Sequence, residues 1–172
     1  AESLMESAME YGSDPDRAWA LSGDTEVEKL HAFRHAAAET ANLYIEEQRR
    51  KDDRITKLGT DMLVGNLSFG ELLKRYEKEM EEADLRGCIF GHALENHLHV
   101  NILPEDYEAY KKGIVLIRKW AEETVNYHGK ISGEHGIGKL RRQILEDYLT
   151  FCRKLKVHLD VEDRLNHGNI LE

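Results

Sequence analysis

The chain has 172 residues, enough for one domain or slightly more with a real hydrophobic core. It carries 33 Asp and Glu against 24 Lys and Arg, a formal net charge of -9, which argues against an extended nucleic-acid surface because phosphates need a basic face. Cys88 and Cys152 form no paired motif, so a disulfide framework is not expected and a reducing compartment fits. No apolar run approaches a membrane-spanning length and no signal peptide is visible. A cytoplasmic location is therefore expected.

The N-terminal part of the chain is predicted to contain two helices separated by a strand and a loop. Residues 1–22 show little periodicity and are predicted to be a loop with a short element at best. A helix is expected from residue 24 or 25 to about residue 50, because Thr25 with Glu28 forms a capping box and apolar residues recur on one face. The stretch ITKLGTDMLVGN follows as strand and loop. A second capping box, Ser68 with Glu71, opens the next helix.

The middle of the chain is predicted to form a β-hairpin with one polar face. The stretch GCIFGH is a strand, ALEN is a tight connection, and HLHVNIL is a second strand with two-residue alternation. In that second strand the apolar residues Leu98, Val100 and Ile102 alternate with polar ones. The polar face therefore carries His97, His99 and Asn101.

The C-terminal part is predicted to be helical around one glycine-rich turn. Pro104 suits the first turn of a long helix that Gly129 would stop, and a further long helix is expected over 139–156, after the turn SGEHGIG. Strands separated by long helices, with adjacent strands joined tightly, predict an α+β fold in which an antiparallel sheet is covered by helices on one face.

Two histidines and one glutamate are placed for metal chemistry. His92 ends one hairpin strand and His99 projects from the polar face of the next, so both imidazoles should reach one end of the hairpin. Glu134, framed by glycines, can supply a carboxylate, and zinc accepts imidazole nitrogen with carboxylate oxygen. On spacing alone, hydrogen-bonded histidines in a half-buried sheet are the favoured interpretation and metal binding is the alternative, because motif matches often arise by chance. His31 and His35 lie four apart on a helix, where a surface role is favoured.

The paired stretches FGHALENHLHVNI and GKISGEHGIGKLRR resemble the C-terminal portion of the FAD-linked oxidases. This group contains flavin-dependent D-lactate dehydrogenases, D-2-hydroxyglutarate dehydrogenases, the glycolate oxidase flavin subunit and vanillyl-alcohol oxidase. The D-2-hydroxyacid branch has the pattern G-H-x-G-D-G-N-L-H-x-N, followed some forty residues later by G-x-I-S-x-E-H-G-I-G. The resemblance runs from about Leu30 to the end, where DRLNHGNIL is similar to the family's closing segment.

The resemblance implies a domain organisation and an activity. Residues 1–128 would be part of a ferredoxin-like substrate-binding cap, and 129–172 a small helical segment carrying the SGEHGIG turn. The FAD-binding domain precedes this region in the family and is absent from the chain. The implied activity is oxidation of a D-2-hydroxy acid similar to lactate, glycolate or 2-hydroxyglutarate, with hydride transfer to FAD. A divalent metal, with zinc the expected one, would assist, and the chain alone would be inactive.

The resemblance also implies roles for individual residues. The metal ligands would be His92, His99 and Glu134, and His135 would be the catalytic base. The substrate carboxylate would be held by Arg34, which matches an arginine on a family helix, and by Lys57, with Asn101 as a further substrate contact. A planar guanidinium is suited to bidentate binding of a carboxylate.

Three stretches depart from the family pattern. LENH replaces GDGN between the two predicted histidine ligands, NHGN replaces NPGK near the end, and LVGN stands where the family has a loop proline. Glu95 and His97 are therefore further candidates for the site. Two other classes stay open, a metal-binding module that never meets flavin and an interaction module without catalytic activity. Peripheral attachment to the inner membrane and a homodimer are left open too.

Overall fold

The computed structural model describes residues 2–18, 21–136 and 146–168. By its internal contacts the chain divides into two compact units, Ala1–Thr40 and Ala41–Glu172. Helix α1 (Glu2–Glu10), a 3-10 turn (Pro15–Arg17) and the start of α2 (Asp24–Lys51) belong to the first unit. The rest of α2 and all following elements belong to the second. The predicted division at residues 128 and 129 stays a prediction.

The N-terminal expectations are met in part. Helix α2 begins at Asp24, one of the two predicted starts. Thr25 therefore lies inside the first turn, and the capping box predicted for Thr25 and Glu28 does not stand at the helix start. Where a loop with a short element was expected, the structure forms the nine-residue helix α1.

The sheet of the second unit is built around one central strand. The strands are β1 (Leu58–Gly59), β2 (Met62–Leu63), β3 (Gly87–His92) and β4 (His97–Ile102), and all pairings are antiparallel. β3 lines one edge of β4, while β1 and β2 follow each other along the opposite edge in one unbroken register. The predicted strand in ITKLGTDMLVGN is thus present as two short pieces. The two residues between them, Thr60 and Asp61, lie opposite Val100 and His99.

Helices cover the apolar face of the sheet. Helix α3 (Phe69–Glu82) opens on the predicted capping box, in which Ser68 and Glu71 bond each other's backbone N–H groups. Its buried Tyr76 packs edge-to-face on Trp120 of α4 (Tyr107–Asn126), with ring centroids 4.7 Å apart. Both helices share one hydrophobic core with the apolar residues of β4, namely Leu98, Val100 and Ile102. The mixed, one-sided architecture confirms the predicted α+β class, and it leaves the other face of β4 for polar side chains.

The bounds of α4 differ from the prediction. The helix begins at Tyr107, and its N-cap is Asp106, whose carboxylate accepts a hydrogen bond from the backbone N–H of Ala109. Pro104 lies before the helix, because a capping carboxylate two residues later provides the stronger start signal. At the other end the helix stops at Asn126, and His128, not Gly129, takes the left-handed backbone conformation.

The last described helix, α5, spans Glu146–Leu159. It confirms the later part of the helix predicted over 139–156 and runs three residues further. Residues 137–145 and the final NILE, at 169–172, lie outside the described residues. None of the helices in the described ranges combines the length and the apolar character that crossing a bilayer requires.

Gly91 tests how tightly the β3–β4 hairpin is built. Its φ is +146°, and a Cβ there would lie 2.2 Å from the backbone oxygen of His97. We expect Gly91→Ala to lower the free energy of unfolding by roughly 1–3 kcal/mol, because both the backbone conformation and the contact would be strained. Urea denaturation measures this.

The matched control is Gly70→Ala in the first turn of α3, where an added Cβ meets nothing within 4 Å. This change should leave stability equal or raise it by roughly 0.4–1 kcal/mol, since alanine restricts the unfolded chain. Equal effects of the two substitutions would contradict the strain assigned to Gly91.

Candidate active and metal site

Three imidazoles form a row on the polar face of the hairpin. The register pairs His92 with His97 and Phe90 with His99, and directly paired residues project from the same face. The rings of His92 and His97 are stacked with centroids 5.6 Å apart, and those of His97 and His99 are 4.5 Å apart. His97 and His99 are both buried, whereas His92 is exposed. The hairpin therefore places each of the two predicted histidines beside His97.

The connection between the strands explains how LENH fits where the family has glycines. Residues Ala93–Glu95 form a 3-10 turn, and Asn96 follows with a left-handed φ of 48°. Asparagine tolerates this conformation, and here its side-chain amide also donates to the carbonyl of Leu67. Glu95 is exposed and belongs to neither of the candidate ligand groups found among the described residues.

A buried carboxylate, Asp61, lies at the centre of the site. It sits between β1 and β2, opposite His99, and its side chain is fully shielded from solvent. The ring nitrogen Nε2 of His97 lies 2.9 Å from Oδ1, and the hydroxyl of Ser132 donates to Oδ2 at 2.7 Å. Three successive backbone N–H groups also donate to this carboxylate, those of Gly133, Glu134 and His135.

These donors keep Asp61 ionised. Burial alone would raise the pKa of its carboxyl group, but the bonds from Ser132, His135, His97 and Glu134 outweigh burial and hold the pKa well below its usual range. An ionised, fully hydrogen-bonded carboxylate thus fixes the SGEH turn against the sheet. Sequence reasoning missed this residue, because the only available signal was a single acid in the stretch ITKLGTDMLVGN. Its donors are distant in the chain: His97 is 36 positions away, and Ser132 to His135 are 71 to 74 positions away.

The glycines of the SGEHGIG turn have two different roles. Backbone bonds between Leu63 and Lys130 lay the segment beside β2, and Gly133 N–H donates to the carbonyl of Asp61 at 2.8 Å. A Cβ on Gly133 would come within 2.2 Å of Leu63 Cδ1 and 2.8 Å of His97 Cε1, so only glycine permits this approach. Gly136 instead supplies a positive φ of +73°.

Glu134 points its carboxylate at the imidazole row. Its Oε1 atom lies 3.1 Å from Nε2 of His92 and 3.2 Å from Nδ1 of His97. Ligand atoms of these three residues all fall within 4.8 Å of one another, as a shared cation requires, and a second such group consists of Asp61, His99 and His135. Within the described residues, the predicted trio of His92, His99 and Glu134 is not one of these groups.

His99 and His135 are neighbours on the other side of His97. The ring centroids of His99 and His135 are 5.3 Å apart. His99 Nδ1 lies 3.2 Å from the carbonyl oxygen of Thr60, which can only accept, so this nitrogen carries a proton. Burial, the largest influence, lowers the pKa of His99 and favours the neutral ring. The exposed His135 has its Nε2 3.9 Å from Glu134 Oε2.

Two of the predicted substrate contacts lie together. Gly59 pairs with Asn101, and a Cβ on Gly59 would be 3.1 Å from Asn101 Oδ1 and 3.5 Å from Lys57 Cε. Asn101 is buried on the same face as His99, and among the described residues its Oδ1 has no hydrogen-bond partner. Arg34 is an exposed residue of α2 in the first unit. Its predicted role stays a prediction.

Asp61→Asn tests the central carboxylate. An amide keeps the size but presents N–H groups to donors and loses the charge, so we expect the free energy of unfolding at pH 7 to fall by roughly 1.5–3 kcal/mol, the range for hydrogen bonds to a charged group. Asp84→Asn is the matched control, because Asp84 is exposed and has a left-handed φ of 53° that asparagine tolerates. Chemical denaturation compares the two. An unchanged stability of Asp61→Asn would contradict the role assigned to this carboxylate.

Comparison with known proteins places the chain in a family. Residues 1–170 match the family model described as FAD linked oxidases, C-terminal domain. D-lactate dehydrogenase (cytochrome) 1, mitochondrial, of Saccharomyces cerevisiae is 26% identical over 136 residues, which cover 74% of this chain and 23% of that protein. D-2-hydroxyglutarate dehydrogenase of Stutzerimonas stutzeri is 33% identical over 90 residues, which cover 47% and 19%.

A third relative, D-lactate dehydrogenase of Anaerostipes hadrus, is 37% identical over 93 residues, which cover 52% of this chain and 19% of that protein. The matched regions span about a fifth to a quarter of the length of these relatives. Because the family model covers nearly all residues, the resemblance found in the sequence is confirmed. The chain belongs to the family of FAD linked oxidases, C-terminal domain.

Proposed function

We propose that the complete protein is an FAD-dependent oxidoreductase that oxidises a D-2-hydroxy acid, such as lactate, glycolate or 2-hydroxyglutarate. In this proposal the chain supplies the substrate-binding and metal-binding part, and the FAD is held mainly by another domain of the same protein. The convergence of three imidazoles and Glu134 beside His135, at the exposed end of the hairpin, is the observation that carries the proposal. The names of the relatives point to the same substrate class.

The donor set fits a divalent cation. Two imidazole nitrogens and a carboxylate oxygen within 4.8 Å suit zinc or a similar borderline cation and leave a coordination position open for substrate. His92 and Glu134 would be ligands, together with an imidazole of β4, for which the family pattern implies His99. Such a cation would act as a Lewis acid toward the 2-hydroxyl group of the substrate.

Lys57 and Asn101 would bind the substrate beside the metal site. The ammonium group of Lys57 would pair with the substrate carboxylate, and Arg34 is proposed as a second cationic contact. Asn101 follows His99 by two positions on the same face, so its side chain neighbours the imidazole row. Its Oδ1, which lacks a partner among the described residues, would accept a hydrogen bond from the substrate.

His135 would act as the base. The backbone N–H of His135 donates to Asp61 at 2.8 Å, which fixes the main chain of this residue. Its imidazole is exposed and could therefore be reached by a substrate. Nε2 of His135 would take the proton of the 2-hydroxyl group as the hydrogen on C2 leaves with its electron pair. Bound FAD supplies the acceptor for that hydride, and the product is a 2-oxo acid.

His135→Asn in the complete protein tests this proposal. We expect the variant to keep its flavin but to reduce it roughly 100-fold to 10,000-fold more slowly, the range for loss of a general base. The measurement is anaerobic mixing with D-lactate, glycolate or D-2-hydroxyglutarate while the flavin absorbance is followed, with L-lactate and L-2-hydroxyglutarate as substrate controls.

His128→Asn is the matched variant. His128 is exposed and has a left-handed φ of 56° that asparagine tolerates, and it belongs to neither candidate ligand group. This variant should reduce its flavin at the unaltered rate. A complete protein that purifies without flavin, or one whose flavin none of the three acids reduces, would contradict the enzyme proposal and favour a binding module without catalysis.

A further inference from the structure

We infer that His97, and not His99, completes the metal site with His92 and Glu134, and that Asp61 holds His97 in the ligand tautomer. This assignment rests on the proposed function insofar as a cation is bound at the hairpin. It departs from the ligand set that the family pattern implies, in which position 97 is an asparagine. The site would take a borderline divalent cation through two imidazole nitrogens and one carboxylate oxygen.

The positions of the ligand atoms favour His97 as the second imidazole ligand. One oxygen of Glu134, Oε1, faces His92 Nε2 at 3.1 Å and His97 Nδ1 at 3.2 Å. The two rings are nearly parallel, with an interplanar angle of 19°, because the register pairs these residues directly across the hairpin. Both nitrogens therefore lie close to the same carboxylate oxygen, and the three ligand atoms fall within 4.8 Å of one another, as one shared cation requires.

The hydrogen bond of His97 to Asp61 determines the tautomer of the His97 ring. Asp61 accepts hydrogen bonds from Ser132 and from three backbone N–H groups, so it is an acceptor toward His97 as well, and the 2.9 Å contact places the proton of His97 on Nε2. In a neutral ring the lone pair is then on Nδ1, the atom that faces Glu134. A lone pair and a carboxylate oxygen repel each other unless a cation or a proton lies between them. A carboxylate, a histidine and a cation in series is the usual arrangement by which proteins orient a metal-binding imidazole.

The saturation of Asp61 excludes the second candidate group. That group consists of Asp61, His99 and His135. Both oxygens of Asp61 are already engaged, Oδ1 by His97 and Oδ2 by Ser132, with backbone N–H groups filling the remaining directions. A carboxylate has about four lone-pair sites in all. No acceptor capacity is left for a metal, so the cation belongs with Glu134.

His99 keeps a different place in the site. Its Nδ1 donates to the Thr60 carbonyl, which fixes the ring between His97 and His135. The ring is 9% exposed and its contacts are to groups of the sheet and the SGEH turn. It is therefore placed to pack against the base His135, and its removal should leave the cation bound.

Matched asparagine variants of the three histidines test the assignment. The variants His92→Asn, His97→Asn and His99→Asn are made in the complete protein, and zinc affinity is measured by competition with a chromophoric chelator, together with metal content after dialysis. We expect His92→Asn and His97→Asn to weaken zinc binding by about 100-fold or more, beyond the range usual for groups that only orient a ligand. His99→Asn should stay within about 10-fold of the unaltered protein.

Spectra of the cobalt-substituted protein supply a readout that is independent of activity. Loss of a nitrogen ligand changes the visible absorption of bound Co²⁺, so His97→Asn should alter this spectrum and His99→Asn should preserve it. Flavin content and unfolding temperature check that each variant folds. His97→Gln, whose longer amide can still donate to Asp61, replaces His97→Asn if that variant does not fold.

The outcomes separate this inference from the proposed function. If His97→Asn binds zinc normally while His92→Asn and His99→Asn do not, the ligand assignment is overturned and the metal-dependent function stands. Loss of binding in all three variants overturns it too, because His99 would then be a ligand. If the unaltered protein binds no zinc, or if His92→Asn binds zinc as tightly as the unaltered protein, both the inference and the metal part of the proposed function fail.

Discussion

The candidate site depends on the burial of one negative charge. Asp61 is enclosed between the sheet and the SGEH turn, and a buried carboxylate is tolerated only if its oxygens are satisfied. The chain satisfies them with Ser132, His97 and three consecutive backbone N–H groups. Because two of those N–H groups belong to Glu134 and His135, satisfying the charge also positions the main chain that carries these two candidate site residues. Asp61 therefore both anchors the SGEH turn to the sheet and positions the residues of the candidate site.

The rigid part of the site comes from the sheet. The apolar residues of β4 are fixed in a core shared with α3 and α4, so the opposite face presents His97, His99 and Asn101 at the fixed spacing of a strand. Glu134 and His135 arrive on a turn, but Gly133 packs directly on the sheet. The main chain of the turn is therefore anchored to the sheet, both by this contact and by the hydrogen bonds to Asp61.

Patterns of short range were sufficient to predict the hairpin, the capping box of α3 and the α+β class. The alternation in HLHVNIL reports directly which side chains face the core, and Ser68 with Glu71 reports a local hydrogen-bond exchange. Pro104 misled the prediction of the α4 start, because Asp106 caps the helix two residues later. The start of α4 depended on two local signals, a proline and a capping carboxylate, and the carboxylate determined it.

The side-chain contacts of the candidate site could not be predicted, because they depend on register and on distant contacts. The 3-10 turn and Asn96 set which residue of β4 stands opposite His92, and the result is His97. The importance of Asp61 depends on donors 71 to 74 positions away. No periodicity within a segment contains that information, whereas the family resemblance located the segments without giving the contacts between them.

The long chain separation between Asp61 and its donors also bears on the order of assembly. The hairpin and α3 close short loops and can form early, but the SGEH turn must return across about seventy residues, and such closures are slow because their entropy cost precedes their contacts. Until that return, the carboxylate stays hydrated and Glu134 lies apart from the histidines. We therefore expect the geometry of the candidate site to form late in folding, since a nascent chain that ends before residue 135 lacks the residues that complete it.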